Sequence, residues 1–384
     1  MTGIAASSVD TDAPIPFVDL GAQHREIADE LRAAIESVLD DSQFILGPHV
    51  DKFEKDFSDF HGGAPLQTVS VSSGTAALEM AAHALNWGPG DEVISVANTW
   101  ISTISSISQS GARPVLVEVD AATHQIDPAA VEAAITPRTK AVIAVHLFGH
   151  PAPVHELIKI CQKHHLTLVE DVAQALDARI QGRPVGTYGQ IACHSFFPGK
   201  NLGCLGDGGA ILTSDSSLAD RVRMLRNYGQ PEKHHHVMLG HNARLDGLQA
   251  AVLSVKLKHL RDWNARRRQL KAMYDQALEG LPLQLVETPS YGESVHHLYV
   301  IKTDRREALQ RHLTAKGIAA QIHYPKPVHL QPCYADLGMK TGALPITESL
   351  AGRVLSLPFS PHLTPAQIER VADGIKSFWQ DAKA

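Results

Sequence analysis

Lys200 is presented by a Pro-Gly turn that follows a predicted strand at residues 191–197. A lysine is normally protonated at neutral pH, but burial beside a cationic or electrophilic group lowers the pKa of its amine and makes the amine nucleophilic. Ser195, near the end of the same strand, adds a hydroxyl that could bind a phosphate. A solvated turn lysine has the same local sequence, so this segment alone leaves both interpretations open.

Two carboxylates, Glu170 and Asp171, end a second predicted strand that begins at Leu166. Side chains alternate across a strand, so one of these carboxylates points into the crevice at the strand's carboxyl end. A buried carboxylate requires a cationic partner, and a protonated pyridine nitrogen is such a partner. Gln174 follows closely and could hydrogen-bond a phenolic oxygen of the same ring. A helix-capping aspartate is the alternative interpretation of Asp171.

A run of small residues, Ser72-Ser73-Gly74-Thr75, closes another apolar segment and opens a predicted helix. Small residues leave backbone N–H groups accessible, and the helix dipole favours an anion at this end. Gly74 and the hydroxyl of Thr75 therefore form a candidate phosphate site. A simple Ser/Thr helix cap is the alternative, because every helix needs such a cap.

The elements that must position these residues alternate between short apolar runs and helical patterns. This alternation predicts an α/β fold with a mostly parallel central sheet covered by helices on both faces, in which ligands bind at the carboxyl ends of the strands. Beyond about residue 250 the pattern changes to a long helix followed by mixed strands and helices. We therefore predict a flexible N-terminus (1–16), a large domain (17–250) and a smaller α+β C-terminal domain (251–384).

The composition is that of an ordinary globular protein. The 384 residues carry a net charge of −6, which gives no support for nucleic-acid binding. No stretch approaches the roughly 18 apolar residues of a membrane helix, and the first residues lack the pattern of a signal peptide. The four cysteines form no C-x-x-C pair, as expected of reduced thiols. These features predict a cytoplasmic protein without a nucleic-acid or membrane partner.

Two further patterns suggest metal or nucleotide binding but are weak. His234, His235 and His236 are adjacent, so they cannot all face one ion on a regular element, and we predict a mobile loop on the substrate side and no metal site. The glycine-rich segment at 204–209 leads into a strand and lacks the Gly-x-Gly-x-x-Gly fingerprint. A nucleotide-dependent oxidoreductase is therefore disfavoured.

Taken together and in this order, the motifs give a sequence that resembles the DegT/DnrJ/StrS family of sugar aminotransferases, which have the aspartate-aminotransferase-type fold (fold type I of pyridoxal-phosphate enzymes). The resemblance extends from Val18 to Pro358. Its landmarks include Ser73-Gly74-Thr75-Ala76-Ala77-Leu78, Asn98-Thr99-Trp100, Glu170-Asp171-Val172-Ala173-Gln174-Ala175, Ser195-Phe196-Phe197-Pro198-Gly199-Lys200-Asn201-Leu202-Gly203 and His323-Tyr324-Pro325.

The resemblance implies that Lys200 binds pyridoxal 5'-phosphate covalently and then moves the proton between cofactor and substrate carbons. It implies that Asp171 keeps the pyridine nitrogen protonated, so that the ring withdraws electrons. Five further residues are implied to contact the cofactor: through its phosphate, Gly74, Thr75 and Ser195; through the ring oxygen, Gln174; and through the ring face, Trp100. Asn242 is implied to reach the phosphate of the partner subunit's cofactor, which predicts a homodimer with shared active sites.

The implied reaction transfers an amino group from L-glutamate to a keto sugar carried on a nucleotide, with C3 slightly favoured over C4. Tyr324 and His329, on a Pro-rich loop, are candidate substrate contacts, although ordinary loop packing is equally consistent with them. The family often has His-Gly where this chain has Leu176-Asp177, which places a substrate contact there in doubt. The alternatives are an aminotransferase acting on a keto-cyclitol and a non-catalytic regulator that senses the cofactor; the retained lysine disfavours the regulator.

Overall fold

A seven-stranded sheet forms the centre of the structure, a computed structural model that describes residues 13–381. The strands are β1 (Gln67–Val71), β2 (Glu92–Val96), β3 (Arg113–Val117), β4 (Thr139–Val145), β5 (Thr167–Asp171), β8 (Ile191–Ser195) and β9 (Gly209–Thr213). Their order in the sheet is β1-β9-β8-β5-β4-β2-β3. β9 is antiparallel to both of its neighbours and the other four pairs are parallel, so the predicted mostly parallel sheet is confirmed.

Helices cover both faces of this sheet because its strands are apolar on both sides. In β4, Val142 and Ala144 join one buried cluster, whereas Ala141 and Ile143 join another on the opposite face. The helices that precede the long helix of the chain are α1 (Leu20–Glu26), α2 (Ala28–Asp41), α3 (Pro48–Phe60), α4 (Gly74–Ala84), α5 (Ile101–Gln109), α6 (Pro128–Ala133), α7 (Val154–His164) and α8 (Ser216–Leu225). This arrangement confirms the α/β class.

The long helix α9 (Gly247–Ala277) joins two packed regions. Its first half contributes Leu253 and Leu260 to a cluster with Phe53 and Phe196 of the preceding chain. Its second half contributes residues such as Tyr274 to a separate cluster built from the C-terminal elements. The predicted boundary at 250/251 falls within the first turn of this helix, and the division into two domains stays a prediction.

The C-terminal elements form an α+β layer. Its sheet has the order β10-β12-β13, with β10 (Gln284–Leu285), β12 (Tyr299–Lys302) and β13 (Val354–Leu357). The helices are α10 (Arg306–Ala315), α11 (Pro345–Arg353) and α12 (Pro365–Asp381), with short 3-10 turns at Val328–Leu330 and Pro332–Leu337; another 3-10 turn, Leu147–Gly149, lies earlier in the chain, between β4 and α7. A third small sheet joins β6 (Arg179–Ile180), β7 (Arg183–Pro184) and β11 (Gly292–Glu293).

Residues 1–12 of the predicted flexible N-terminus lie outside the described residues. Ile15, within the same predicted segment, is buried and forms a bridge with Ile318 in the C-terminal layer. Between residues 13 and 381, none of the helices combines the length and the apolar character that crossing a bilayer requires.

Candidate active site

Glu170 and Asp171 end β5 and point to opposite faces of the sheet, as strand alternation requires. Glu170 is fully buried and accepts hydrogen bonds from three backbone N–H groups, those of Gly186, Tyr188 and Gly189, at 2.7–2.8 Å. His146 Nε2 lies 3.1 Å from the same carboxylate. Burial alone would raise the pKa of Glu170, but these donors outweigh it and hold the pKa below its ordinary value. Glu170 therefore supports the loop at 186–189.

Asp171 lies on the other face with only neutral hydrogen-bond donors in contact. Thr103 Oγ1 donates to Oδ2 at 2.9 Å, and the backbone N–H of Ala173 donates to Oδ1 at 3.1 Å. Among residues 13–381 no cationic side chain lies within 4.0 Å of this buried carboxylate. Burial raises the pKa of Asp171, whereas the two hydrogen bonds and the charge of Lys200 oppose that rise. A buried acid in this state is suited to pair with a cationic group of a bound molecule.

Lys200 lies in a compact turn after β8. Its backbone N–H donates to the carbonyl of Phe197 at 2.8 Å, and Cys204 N–H donates to the carbonyl of Phe196 at 2.8 Å. A side chain on Gly203 would clash with the backbone of Pro198, so the turn requires glycine there. Burial lowers the pKa of the Lys200 ammonium to about 8, against the opposing charge of Asp171. A substantial fraction of this amine is therefore neutral near physiological pH.

The strand order brings these two groups together. β5 and β8 are neighbouring parallel strands, and Asp171 is paired with Cys193 in the register between them. Lys200 follows β8 by a few residues, so both functional groups emerge at the same carboxyl edge of the sheet. The charge of each group affects the pKa of the other.

The N-terminus of α4 and the end of β8 form a second feature of the site. A Cβ atom on Gly74 would lie 2.6 Å from Cβ of Ser195, so only glycine permits this close approach. Ser73 caps the helix by accepting from the backbone N–H of Ala76 at 3.0 Å. Thr75 Oγ1 lies 2.8 Å from Ser102 Oγ, which adds a hydroxyl that the sequence analysis did not identify. Exposed N–H groups and hydroxyls at a helix N-terminus suit a phosphate.

Gln174, Tyr324 and Trp100 line the remaining part of the site. The side-chain carbonyl of Gln174 accepts from the backbone N–H of Phe148 at 2.8 Å, and its amide donates to the hydroxyl of Tyr324 at 3.1 Å. The ring centroids of Trp100 and Tyr324 are 5.6 Å apart, and Trp100 is 58% exposed. An indole this exposed is not a core residue and is available to cover a planar ligand.

Behind the lysine turn lies a buried polar chain that the sequence analysis missed. Asn201 donates from its amide to Asn264 Oδ1 at 2.8 Å, and its carbonyl lies 3.0 Å from His297 Nδ1. Burial, together with the charge of Lys200, lowers the pKa of His297 well below its ordinary value. These hydrogen bonds join the lysine turn, the long helix and the C-terminal layer, so they fix the position of the turn.

Two predicted contacts lie apart from this group. Asn242 is exposed and its backbone bridges to Asn227, an arrangement that leaves its side chain free to contact another chain. His329 is buried, with Nε2 3.0 Å from Glu348, so this imidazole is engaged within the protein. The histidines at 234–236 are exposed, and residues 13–381 contain no cluster of three or more side chains suited to bind a metal.

Leu176 and Asp177, which depart from the family pattern, both make contacts inside the protein. Leu176 is buried in an apolar cluster with Phe196 and Leu202. Asp177 has a φ of 71°, a left-handed conformation that glycine adopts most readily and aspartate tolerates better than most residues. Its carboxylate accepts from Arg179 Nη2 at 2.7 Å. Both side chains are therefore engaged inside the protein.

The comparisons with known proteins agree with this geometry. A model of the DegT/DnrJ/EryC1/StrS aminotransferase family matches residues 25–376. Over 364 residues the chain is 49% identical to the erythromycin biosynthesis sensory transduction protein EryC1 of Saccharopolyspora erythraea. This alignment covers 94% of this chain and 99% of that protein. Over 365 residues it is 47% identical to dTDP-3-amino-3,4,6-trideoxy-alpha-D-glucose transaminase of Streptomyces venezuelae, in an alignment that covers 95% of this chain and 96% of that enzyme. The crystal structure of S. venezuelae DesV in complex with a ketimine intermediate superposes on this chain with a TM-score of 0.93 at 46% sequence identity. The superposition covers 95% of this chain and 98% of the DesV chain.

Proposed function

The chain belongs to the DegT/DnrJ/EryC1/StrS aminotransferase family, as its sequence motifs predicted, and on that premise we propose that it transfers an amino group from L-glutamate to C3 of a nucleotide-linked keto sugar. We propose pyridoxal phosphate as the cofactor, bound covalently through Lys200. The observation that carries the proposal is the meeting of Lys200 and Asp171 at one edge of the sheet, beside a phosphate-type helix N-terminus.

Three features fit the cofactor independently of each other. The uncompensated carboxylate of Asp171 suits a protonated pyridine nitrogen. The approach of Gly74 to Ser195 leaves backbone N–H groups and hydroxyls for a phosphate. The amide of Gln174 has one donor left for the ring oxygen after its bond to Tyr324. When bound, pyridoxal phosphate supplies an aldehyde that reacts with amines and a ring that withdraws electrons.

Different residues of the chain have separate roles in the proposed reaction. Asp171 holds the proton on the ring nitrogen. Lys200 Nζ, whose pKa is about 8, would accept a proton from one carbon and deliver it to another, between substrate and cofactor, within each half of the reaction. Trp100 covers the ring face and so limits the orientations that the reacting bond can take. We propose Tyr324, which accepts a hydrogen bond from Gln174, as the contact to the sugar. His329, the other candidate, would act only through its loop, because its imidazole is engaged with Glu348.

Exposed apolar side chains around the site support a homodimer. Leu239 is 95% exposed, and Phe197 and Leu205 on the lysine turn and Tyr228 and Val237 on the following loop are 41–57% exposed. Apolar residues in this number near one site are typical of a surface that a partner covers. A second copy of the chain that buries them would bring its Asn242 to the phosphate end of the site and make the two active sites shared.

The substrate class is supported by the transaminase relative, whose name specifies a dTDP-linked sugar with the amino group at C3. The decisive assay supplies L-glutamate with a panel of nucleotide-linked 3-keto and 4-keto sugars and locates the new amine in the product by NMR. We expect amination at C3. Amination only at C4, or only of an unlinked keto-cyclitol, would overturn the substrate assignment and leave the transaminase chemistry in place.

A regulatory role is the second candidate, because one relative carries the name of a sensory transduction protein. The site argues for catalysis, since the lysine is present and its acid partner Asp171 is buried and accepts a hydrogen bond from Thr103. A regulator would bind the cofactor without consuming L-glutamate, so formation of 2-oxoglutarate distinguishes the two functions.

A further inference from the structure

The hydroxyls of Thr99 and Thr103 form a buried chain that ends on Asp171. Thr99 Oγ1 lies 2.9 Å from Thr103 Oγ1, and Thr103 Oγ1 lies 2.9 Å from Asp171 Oδ2. We propose that Thr103, aligned by Thr99, is a positioning residue for transamination that keeps Asp171 ionised and its free lone pairs directed at the cofactor's ring nitrogen. This inference rests on the proposed function and deepens it.

The direction of the chain follows from hydrogen-bond chemistry. An ionised carboxylate only accepts, so the single hydroxyl proton of Thr103 is donated to Asp171. The oxygen of Thr103 is then an acceptor, and the proton between the two threonines comes from Thr99. Both O–H dipoles therefore point toward the carboxylate, and each strengthens the other in surroundings of low polarity.

The backbone makes this chain rigid. Trp100 is the N-cap of α5, Thr99 precedes it, and Thr103 lies in the first turn, so the two threonines are one helical turn apart. They are 4% and 1% exposed. The Thr103 N–H donates to the carbonyl of Trp100 at 3.2 Å, and Ser106 Oγ donates to the carbonyl of Thr103 at 3.0 Å. The segment that would cover the ring face thus also holds the acid that would pair with the ring nitrogen.

One proton is shared between the ring nitrogen and Asp171, and the Thr103 hydroxyl affects which of the two holds it. Donors to the carboxylate stabilise its charged form, so the proton stays on nitrogen and the ring stays positive. Without the Thr103 hydroxyl the carboxylate is more basic, the proton moves from nitrogen to Asp171, and the neutral ring withdraws electrons less strongly. Proton removal from carbon by Lys200 is then slower.

The test compares Thr103→Val, which keeps the shape and removes the hydroxyl, with Thr103→Ser, which keeps the hydroxyl. Each holoenzyme is loaded with cofactor labelled with ¹⁵N in the ring, and the nitrogen resonance is measured together with kcat. We expect Thr103→Val to shift the resonance toward neutral pyridine and to lower kcat about tenfold to a hundredfold, the effect of one lost hydrogen bond to a charged group. Thr103→Ser should stay near the wild-type resonance.

Two more variants separate the possible failures. Thr99→Val tests the chain of hydroxyl groups even if Thr103→Val does not fold. It should shift the nitrogen resonance in the same direction by a smaller amount. Ser108→Ala removes an exposed hydroxyl from the same helix and should have no effect. If Asp171→Asn abolishes turnover while Thr103→Val and Thr99→Val keep the wild-type resonance, this inference is wrong and the proposed function stands. If Asp171→Asn is fully active, the proposed function itself fails.

Discussion

Gly74 approaches Ser195 so closely that a Cβ atom on the glycine would lie 2.6 Å from Cβ of the serine. The contact involves the first residue of α4 and the last residue of β8, so neither atom can move without displacing backbone. We expect Gly74→Ala to separate the two sides of the phosphate site and to weaken cofactor affinity at least tenfold, measured by titrating the apoenzyme with pyridoxal phosphate.

Gly88→Ala is the matched control for that experiment. A Cβ atom on Gly88 meets nothing within 4 Å, so the same change of residue should leave the affinity unaltered. Equal affinities for the two variants would show that the phosphate is bound elsewhere.

Lys200 gives the capture of cofactor a defined pH dependence. Only the neutral amine attacks an aldehyde, and burial lowers the pKa of this amine from 10.5 to about 8. The rate of reconstitution of the apoenzyme should therefore rise with pH up to about 8 and then level off. In Asp171→Asn the charge that raises the pKa of Lys200 is absent, so the plateau should begin at lower pH. A free alkylamine titrated alongside corrects for the cofactor's own ionisation, and a profile still rising at pH 10 would contradict a buried amine.

Glu170 should support stability rather than chemistry. Its carboxylate accepts from three backbone N–H groups, and in Glu170→Gln the amide nitrogen cannot accept, so at least one buried donor loses its partner. We expect a loss of about 3 kcal/mol in the free energy of unfolding, measured with urea at pH 7.

The pH dependence of that loss has a definite sign. The pKa of Glu170 is lowered in the folded protein, so its contribution is complete above the unfolded value of 4.5 and disappears as the pH falls through the folded value. Wild type and Glu170→Gln should therefore converge in stability on acidification. A difference that stays constant down to the acid transition would contradict this account.

Leu239 provides a test of the dimer. Because its side chain is 95% exposed, replacement by aspartate costs little in an isolated subunit but places a charge in any interface that covers it. Leu239→Asp should shift the sedimentation equilibrium toward monomer and lower activity in parallel. Ile346→Asp, at a partly exposed position on α11, is the control and should stay dimeric. A wild-type protein that is monomeric and fully active would refute shared active sites.

The sequence predicted those features of the structure that depend on local patterns. All seven central strands appear as apolar runs because each strand is buried on both faces, the pair Glu170-Asp171 ends β5, and Gly199-Lys200 lies in the turn that follows β8. Contacts between distant segments were not predictable in this way. Thr103 and Asp171 are 68 residues apart and Asn201 and His297 are 96 apart, and no local pattern distinguishes these side chains from ordinary capping or core residues. The sequence pattern predicts a long helix beyond about residue 250 but not its length; in the structure α9 continues to Ala277, with Trp263 buried.

The central claim is that Lys200 and Asp171 act on one cofactor, and the most direct measurement follows the visible absorption of the purified enzyme on addition of L-glutamate without any sugar. Wild-type enzyme should lose its yellow band as one equivalent of 2-oxoglutarate forms. Lys200→Ala, which removes a turn side chain of little packing value, should fold normally and show no such conversion, and Asp171→Asn should convert far more slowly. Conversion at the wild-type rate in Lys200→Ala, or no conversion in the wild type, would contradict the account.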